Sequence, residues 1–310
     1  MRTALPSSPP ACPDPLVRAP RAGTQDAGRI LPTPPVLQGS VVAVICRDTR
    51  DLVLDDAQRL THFPASPLMS LSWFQHGEVS LAARGDAQQP AWQPIGATVV
   101  VSGSQSLPTV CWAPSAGRAG MICFTADIAR TLFGIDPAAV HDRFRDAREV
   151  MEAAWSPLLD ALIAATDDAA TLAALREHIG PRWQALHGRS VNAPSLRQLG
   201  RHWVERLAWQ AHEWRRTHSP RQVERRVKAF SGRSLREWQS LVRTEGLFFA
   251  ARERYEAGQP FDWATLALDH GFADQSHLVR AARHIAGFSP GEFADRFAQD
   301  ESFWLYRLWM

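Results

Sequence analysis

The feature that most constrains the fold is an internal repeat in the last third of the chain, at an offset of 55 residues. Shifting the chain by that offset aligns residues of the same or similar type at Val223 and Leu278, Arg225 and Arg280, Gly232 and Gly287, Ser234 and Ser289, Glu237 and Glu292, and Trp238 and Phe293. Ser219 and Asp274, both favourable at helix N-termini, also coincide. Self-similarity at a fixed period indicates one supersecondary unit that occurs twice.

Each copy reads as two short helices joined by a tight turn, and the second copy is the more regular. Residues 263–270 predict a helix, Gly271 suits the left-handed position after a helix C-terminus, and Asp274 is a good N-cap for the next helix. The apolar positions of that next helix fall on one face, at Leu278, Ala281, Ala282 and Ile285. Two short helices across a glycine-containing turn form a helix-turn-helix.

The face opposite the apolar stripe carries side chains that can read DNA. In the second copy it holds Gln275, Ser276, Val279 and Arg280. Arg and Gln bind base edges in the major groove through paired hydrogen bonds. In the first copy the outward residues are Arg221, Glu224, Arg225 and Lys228. A basic helix face is also typical of a surface that is simply solvated. The basic residues alone therefore do not indicate DNA contact, which is favoured by the repeat and its helix caps.

One long helix is predicted between the two copies. It runs from Ser234 to about Ala257 and has Trp238 and Leu241 on its apolar side. About 24 residues at 1.5 Å each span about 36 Å, which is close to the roughly 34 Å of one turn of DNA. Two helices held that far apart can enter successive major grooves on one face of the duplex.

The second copy resembles a known signature. The run Gly271-Phe272-Ala273-Asp274-Gln275-Ser276-His277-Leu278, followed by Arg280, Gly287, Ser289 and Pro290, closely resembles that of AraC/XylS-type bacterial transcription regulators. The resemblance covers about residues 196–297 and implies two helix-turn-helix units joined by a linker helix. For His277 we expect packing or a phosphate contact rather than pH sensing. The expected DNA-binding residues are Arg221, Glu224, Arg225, Arg226, Gln275, Ser276, His277, Val279 and Arg280.

The first copy departs from this pattern at four positions. His212 occupies the slot of the small residue Ala267, and Arg216 that of the turn glycine. Thr217 replaces the packed Phe272, and Leu235 replaces Pro290. We therefore expect the first turn to be longer or differently shaped than the second.

The N-terminal half is rich in short β-like runs separated by turns. These runs lie at residues 41–45, 69–73, 79–81, 99–101, 108–112 and 121–124. They predict a small antiparallel sheet or a barrel, of which a cupin-like barrel is one form. Leucines at helical spacing from 158 to 175 predict flanking helices. The predicted fold class is α+β, with a β-rich sensor domain and flanking helices followed by an all-α double helix-turn-helix domain.

Four segments and a short linker are predicted. Residues 1–38, which hold 9 of the 22 prolines, are expected to form a disordered tail. Residues 39–188 form a sensor domain for effector binding or dimerisation, 188–194 a linker, and 196–298 the DNA-binding domain. Residues 299–310 form an aromatic tail. We expect this tail to dock onto its own chain, and a partner-binding motif is the alternative.

Several classes of protein lack support in the sequence. Phosphate loops, dinucleotide fingerprints and nucleophile elbows are missing, and the histidines lack the His-x-His pair of a metal-dependent cupin. The four cysteines have no metal spacing, so we expect no metal, no cofactor and no enzymatic activity. The lack of a long apolar run or leader favours a cytoplasmic protein. Four tryptophans are expected in the core or, alternatively, around an effector pocket: Trp73, Trp92, Trp112 and Trp155.

The net charge of +2 averages over unlike regions. Residues 197–243 hold 12 basic and 4 acidic residues, a net of +8, whereas 244–310 hold 6 and 10, a net of −4. The first unit is therefore expected to supply backbone affinity and the second base selection. The leading hypothesis is a one-component transcription regulator. Its expected partners are double-stranded promoter DNA, RNA polymerase, a small-molecule effector and a second copy in a homodimer. The alternative is an effector-binding or protein-interaction module that has lost strong DNA binding through its degenerate first unit.

Overall fold

The computed structural model describes residues 12–23, 27–75, 78–83, 91–187, 196–259, 262–272 and 274–309, so the predicted linker at 188–194 lies outside it. Strands β1–β10 lie at Gly28–Leu31, Ala43–Asp48, Leu60–Phe63, Met69–Phe74, Ser80–Ala82, Trp92–Pro94, Val99–Ser102, Thr109–Trp112, Arg118–Phe124 and Phe144–Asp146. Helices α1–α12 lie at Ala126–Thr131, Pro137–Val140, Ala147–Val150, Ser156–Ala164, Asp168–His187, Leu196–Trp214, Pro220–Ser231, Leu235–Glu256, Trp263–Asp269, Gln275–Ala286, Pro290–Gln299 and Trp304–Trp309. Short 3-10 helices occupy Pro35–Leu37, Ala153–Trp155 and Glu301–Phe303. In these ranges we find no helix with the length and apolarity to cross a membrane.

The strands form two antiparallel sheets in the N-terminal half, residues 28–187, which we call the sensor half after its expected role. One has the order β1-β2-β9-β4-β7-β10 and the other β3-β8-β5-β6. Side chains alternate along each strand, so the larger sheet has two different faces. Val44 and Ile122, which are paired across β2 and β9, belong to the same core as the leucines of α4. Their neighbours Ile45 and Met121 line the space on the other side. The α+β class is therefore confirmed.

Each of the six β-like runs of the sequence overlaps a strand. The expected disorder of 1–38 is wrong where the structure describes this region. Residues Gly28–Leu31 form β1, and Leu37 is fully buried. The Arg21 amide donates to the Gln299 carbonyl at 3.2 Å, and the Glu301 amide donates to the Ala19 carbonyl at 2.9 Å. These partners lie at the opposite end of the chain, where no local sequence pattern reveals them.

The helices of the C-terminal third repeat at the predicted offset. Helices α6 and α9 end 55 residues apart, α7 and α10 each have 12 residues and begin 55 apart, and α8 and α11 begin 55 apart. Both α7 and α10 have a serine or aspartate N-cap and end at a left-handed glycine, Gly232 or Gly287. The linker helix α8 begins directly after Ser234, where the sequence predicts its start, and Ser234 is its N-cap. Two helix-turn-helix units joined by one helix are thus present.

The aromatic tail docks onto its own chain. We call residues 299–309 the C-terminal segment. Phe303 and Tyr306 in it are fully buried, and Trp304 is 5% exposed. The segment packs on β1 and β3 of the sensor sheets and on α11 of the second unit. Its aromatic residues therefore form part of the core between the two halves.

Two histidines lie where the sensor half meets the repeats. The His62 ring lies 5.2 Å from that of Phe288 and 5.3 Å from that of Phe303. Burial, together with the charge of Arg296, lowers the pKa of His62 to about 3. The pKa of His141, which packs beside Gly232, is also lowered, mainly by burial. Both contacts are therefore built for neutral imidazoles.

We expect the protein to lose stability as the pH falls below about 6.5. An unfolded His62 takes up a proton near that ordinary pKa, whereas the native ring stays neutral down to about 3. The unfolded state then binds more protons, so each pH unit in this window costs about 1.4 kcal/mol. Thermal unfolding midpoints between pH 7 and pH 5 measure the effect. The His62→Phe variant should show a smaller pH dependence, and exposed His212→Phe should match the wild type; equal slopes in all three proteins would refute the assignment.

Candidate functional site

The outward face of α7 holds the predicted residues of the first unit. Arg221, Glu224, Arg225 and Arg226 are all exposed. Val223 and Val227 are buried on the opposite side, as the apolar pattern predicts. The helix begins with a reciprocal capping box between Ser219 and Gln222. The cap fixes the N-terminus of α7, from which Arg221 projects.

The outward face of α10 holds the predicted residues of the second unit. Gln275, Ser276 and Arg280 are exposed, and Val279 is half-buried. The Asp274 carboxylate accepts a hydrogen bond from the backbone amide of His277 at 2.6 Å, which caps the helix. The half-buried His277 ring packs 5.3 Å from the ring of Phe272. The His277 side chain thus packs within the unit.

Several arginines on these two faces keep their charge available. Among the described residues, no carboxylate lies within ion-pair distance of Arg221, Arg225 or Arg280. By contrast, Glu224 pairs with Lys228 at 3.2 Å, and the Arg226 guanidinium lies 5.5 Å above the Trp214 ring. The sequence placed all nine expected residues on two helices, and the structure exposes seven of them and half-buries His277 and Val279.

The turns of the two units have the same length but different shapes. In the second, Gly271 has a φ of +70°, and the Phe272 amide donates to the Ala267 carbonyl at 2.9 Å. In the first, Arg216 is outside the left-handed region, and the His218 amide donates to the Trp214 carbonyl at 2.9 Å. A side chain with a Cβ disfavours positive φ, so the arginine forces another conformation. The prediction of a differently shaped first turn is confirmed. The two turns have the same number of residues, so the first turn is not longer.

Helix α8 sets the separation of the two units. Its 22 residues span about 33 Å at 1.5 Å each, slightly less than the sequence predicts. The helix is anchored on both sides, because Trp238 packs at right angles to Trp203 of α6 with centroids 5.3 Å apart, and Phe248 lies 4.5 Å from Phe293 of α11. The spacing is therefore held by packed aromatic rings.

A cavity of about 200 Å³ lies between the two sheets of the sensor half. Most of its wall is apolar, with Ile45, Phe63 and Met121 among the lining residues. Buried polar side chains also line it, namely Arg47, Thr49, Thr61, Ser72, Ser102, Gln105, Thr109 and Arg118. The combination suits an apolar small molecule that carries a few hydrogen-bonding groups.

Most of the four tryptophans expected in the core or around an effector pocket belong to the core. Trp73, Trp112 and Trp155 are buried, Trp92 is half-buried, and none of the four lines the cavity. The tryptophan that does line it is Trp304, which the sequence gives no reason to place there. The two cavity thiols, Cys111 and Cys123, have pKa values raised to about 12 by burial. They therefore stay protonated, and the described residues contain no His, Cys, Asp or Glu cluster that could hold a metal ion.

No protein-family model and no curated protein matches the chain. Solved structures of ToxT from Vibrio cholerae do align with it. One at 1.65 Å resolution covers 76% of this chain and 96% of the ToxT chain, at 9% identity and a TM-score of 0.35. The structure of ToxT bound to an unsaturated fatty acid covers 76% of this chain and 93% of the ToxT chain, at 10% identity and a TM-score of 0.35. The structure of ToxT bound to (E)-4-(8-methylnaphthalen-1-yl)but-3-enoic acid covers 76% of this chain and 96% of the ToxT chain. Its sequence identity is 10% and its TM-score is 0.35. These values describe a distant likeness.

The two turns should respond differently to exchanging their key residues. Gly271→Ala places a Cβ at a φ of +70° and should destabilise the second unit by about 1 kcal/mol. Arg216→Gly should give no gain in stability, since the first turn needs no left-handed residue there. Urea unfolding of both variants, with hydrogen exchange over α9 and α10, measures this. A stable Gly271→Ala protein with unchanged exchange would contradict it.

Proposed function

We propose that this protein is a DNA-binding transcription regulator whose sensor half binds a small apolar effector. The observation that carries the proposal is the repeated unit, which presents two capped and exposed helices at a fixed separation. A helix-turn-helix reads DNA by placing the N-terminal residues of its second helix in the major groove. Arg221 and Gln275 stand at that end of α7 and α10.

The first unit is suited to holding the phosphate backbone. Its surroundings carry the excess positive charge of the chain, and Arg221 and Arg225 have no competing ion pair among the described residues. Each phosphate neutralised by an arginine releases counterions, so binding through this unit should depend steeply on salt. Such contacts position the protein without selecting sequence.

The second unit is suited to selecting bases. Gln275 and Arg280 are exposed on one helix, and their side chains form paired hydrogen bonds with adenine and guanine respectively. Ser276 and Val279 add contacts to phosphate and to thymine methyl groups. The linker helix α8 is about 33 Å long, which is close to the roughly 34 Å of one turn of DNA, so a helix of this length can hold both units on one face of a duplex.

The cavity supports the effector part of the proposal. It lies between both sheets and is lined mainly by aliphatic and aromatic side chains, with buried hydroxyl and amide groups at Ser72, Ser102 and Gln105. Buried polar groups of this kind orient a ligand. Contact with RNA polymerase, homodimer formation and a cytoplasmic location remain predictions from the family resemblance and the sequence.

The irregular first turn favours a second candidate function. Without a left-handed residue at Arg216, the angle between α6 and α7 need not match that of the second unit. A chain with only one competent unit would serve as an effector-binding or protein-interaction module. Its weak binding to duplex DNA should not show the salt dependence of a two-unit contact.

DNA binding separates the two candidates. Duplexes selected by the protein from a random pool should yield a preferred site. On that site Arg280→Ala should weaken binding about tenfold and relax base preference at one position, whereas Arg225→Ala should weaken binding to all duplexes and reduce the salt slope. Fluorescence anisotropy at graded salt measures both effects.

The matched control is Arg145→Ala, which removes an exposed arginine from β10 of the sensor half. It should bind like the wild type. If Arg280→Ala kept both its affinity and its base preference, the base-reading role would be wrong. A wild-type protein without a preferred duplex or a salt slope would favour the interaction module.

A further inference from the structure

The C-terminal segment contacts the sensor half and the second unit at the same time. On the sensor side, the Trp304 indole N–H donates to the Thr61 hydroxyl at 3.0 Å, and Arg47 pairs with Glu301 at 2.9 Å. On the other side, the Tyr306 ring packs at right angles to Phe293 with centroids 5.0 Å apart. The DNA contact proposed above does not use these interactions, and on the sensor side Arg47, Thr61 and Trp304 also line the cavity.

The sensor side of this contact is closely fitted. The Trp304 ring lies so near Gly28 of β1 that a Cβ there would come within 2.3 Å of it. The Arg47 guanidinium stacks 4.8 Å from the same indole and also donates to Thr61 at 3.4 Å. The β1–β3 region therefore forms a seat shaped for this one tryptophan.

The ion pair inside the seat is buried on both sides. The side chains of Arg47 and Glu301 are 10% and 4% exposed. Two charges taken out of water together gain little net stability, but removal of either partner leaves the other buried and uncompensated. A partly seated segment would leave one of these charges buried without its partner, so it is less stable than a fully seated segment. An ion pair of this kind therefore suits a contact that is either closed or open.

The seated segment also forms a wall of the effector cavity. Trp304 and Leu305 both line it, beside Ile45 and Cys123 of the larger sheet. A ligand in the cavity therefore gains contacts with the segment only while the segment is seated. By linkage, a ligand that binds the seated form better stabilises that form, and the seated form binds the ligand better.

The C-terminal segment also contacts the second unit directly. The Tyr306 hydroxyl donates to the carbonyl of Ala286, the last residue of α10, at 3.4 Å. Phe303 packs 5.5 Å from Phe293 of α11. A seated segment thus fixes the C-terminal end of the helix whose N-terminal end is proposed to read bases.

We propose that the C-terminal segment is a latch: it closes over an apolar ligand in the sensor cavity and thereby holds the second helix-turn-helix unit against the sensor half. This inference rests on the proposed effector site and adds the element that connects the site to the second unit. It gives Trp304 a place in the ligand-binding wall and Glu301 the role of locking the segment onto Arg47.

Hydrogen exchange of the full chain, followed by mass spectrometry, tests the latch without any DNA. Glu301→Gln keeps the shape of the side chain but removes the buried charge, so exchange over residues 299–309 and over the end of α10 should rise at least tenfold. Trp304→Ala should do the same. Trp209→Ala, which removes a tryptophan that is 65% exposed on α6, is the matched control and should exchange like the wild type.

The second readout is binding of N-phenyl-1-naphthylamine, a neutral apolar fluorescent probe. It should protect residues 299–309 from exchange in the wild type and bind Trp304→Ala about tenfold more weakly, while Trp209→Ala binds it normally. Unchanged exchange at the end of α10 in both Glu301→Gln and Trp304→Ala would overturn the latch. So would equal probe affinity in Trp304→Ala and wild type, or no binding to the wild type. Loss of duplex binding with intact exchange effects would instead overturn only the DNA-binding proposal.

Discussion

Two glycines determine how the repeats sit against the rest of the molecule. Gly232 and Gly287 end α7 and α10 in the left-handed conformation, and each lies against the sensor half. A Cβ on Gly232 would meet His141 at 2.9 Å, and one on Gly287 would meet Pro108 at 3.3 Å. The glycine at this equivalent position in each unit thus ends a helix and also lies in close contact with the sensor half. Because α7 and α10 each span about 18 Å, their N-terminal ends point away from this contact.

This arrangement explains why the candidate DNA-binding faces stay exposed although the molecule is closely packed. The sensor half contacts the C-terminal ends of the two helices, at Gly232 and Gly287, while Arg221 and Gln275 stand at their beginnings. A change in the sensor half that moves His141 or Pro108 would therefore act on the C-terminal end of α7 or α10. Helix α8, packed on α6 through Trp238 and on α11 through Phe248, connects the two units.

The sequence predicts the parts of the fold that local chemistry determines. Caps such as Ser219 and Asp274, and the apolar stripe of α10, are readable because helix ends and faces depend on residues within one or two turns. Arg216 in the slot of the turn glycine likewise predicts a change in the first turn, and the structure shows that its shape changes while its length does not. The missed elements depend on distant partners. Strand β1 pairs with β2 and packs under Trp304, so residues 28–31 acquire order from the other end of the chain.

The chemistry between the two halves also differs from that within each half. Apolar packing alone is tolerant of small slips, because it is non-directional. This contact instead buries His62, Arg47, Arg296, Asp300 and Glu301 among aromatic rings. Arg296 pairs with Asp300 at 2.9 Å within the repeat side, and Arg47 pairs with Glu301 across the contact. Hydrogen-bonded charges permit only one register. A junction of this kind costs desolvation, and it favours the fully seated arrangement over any partly seated one, because a partly seated segment leaves buried charges without their partners.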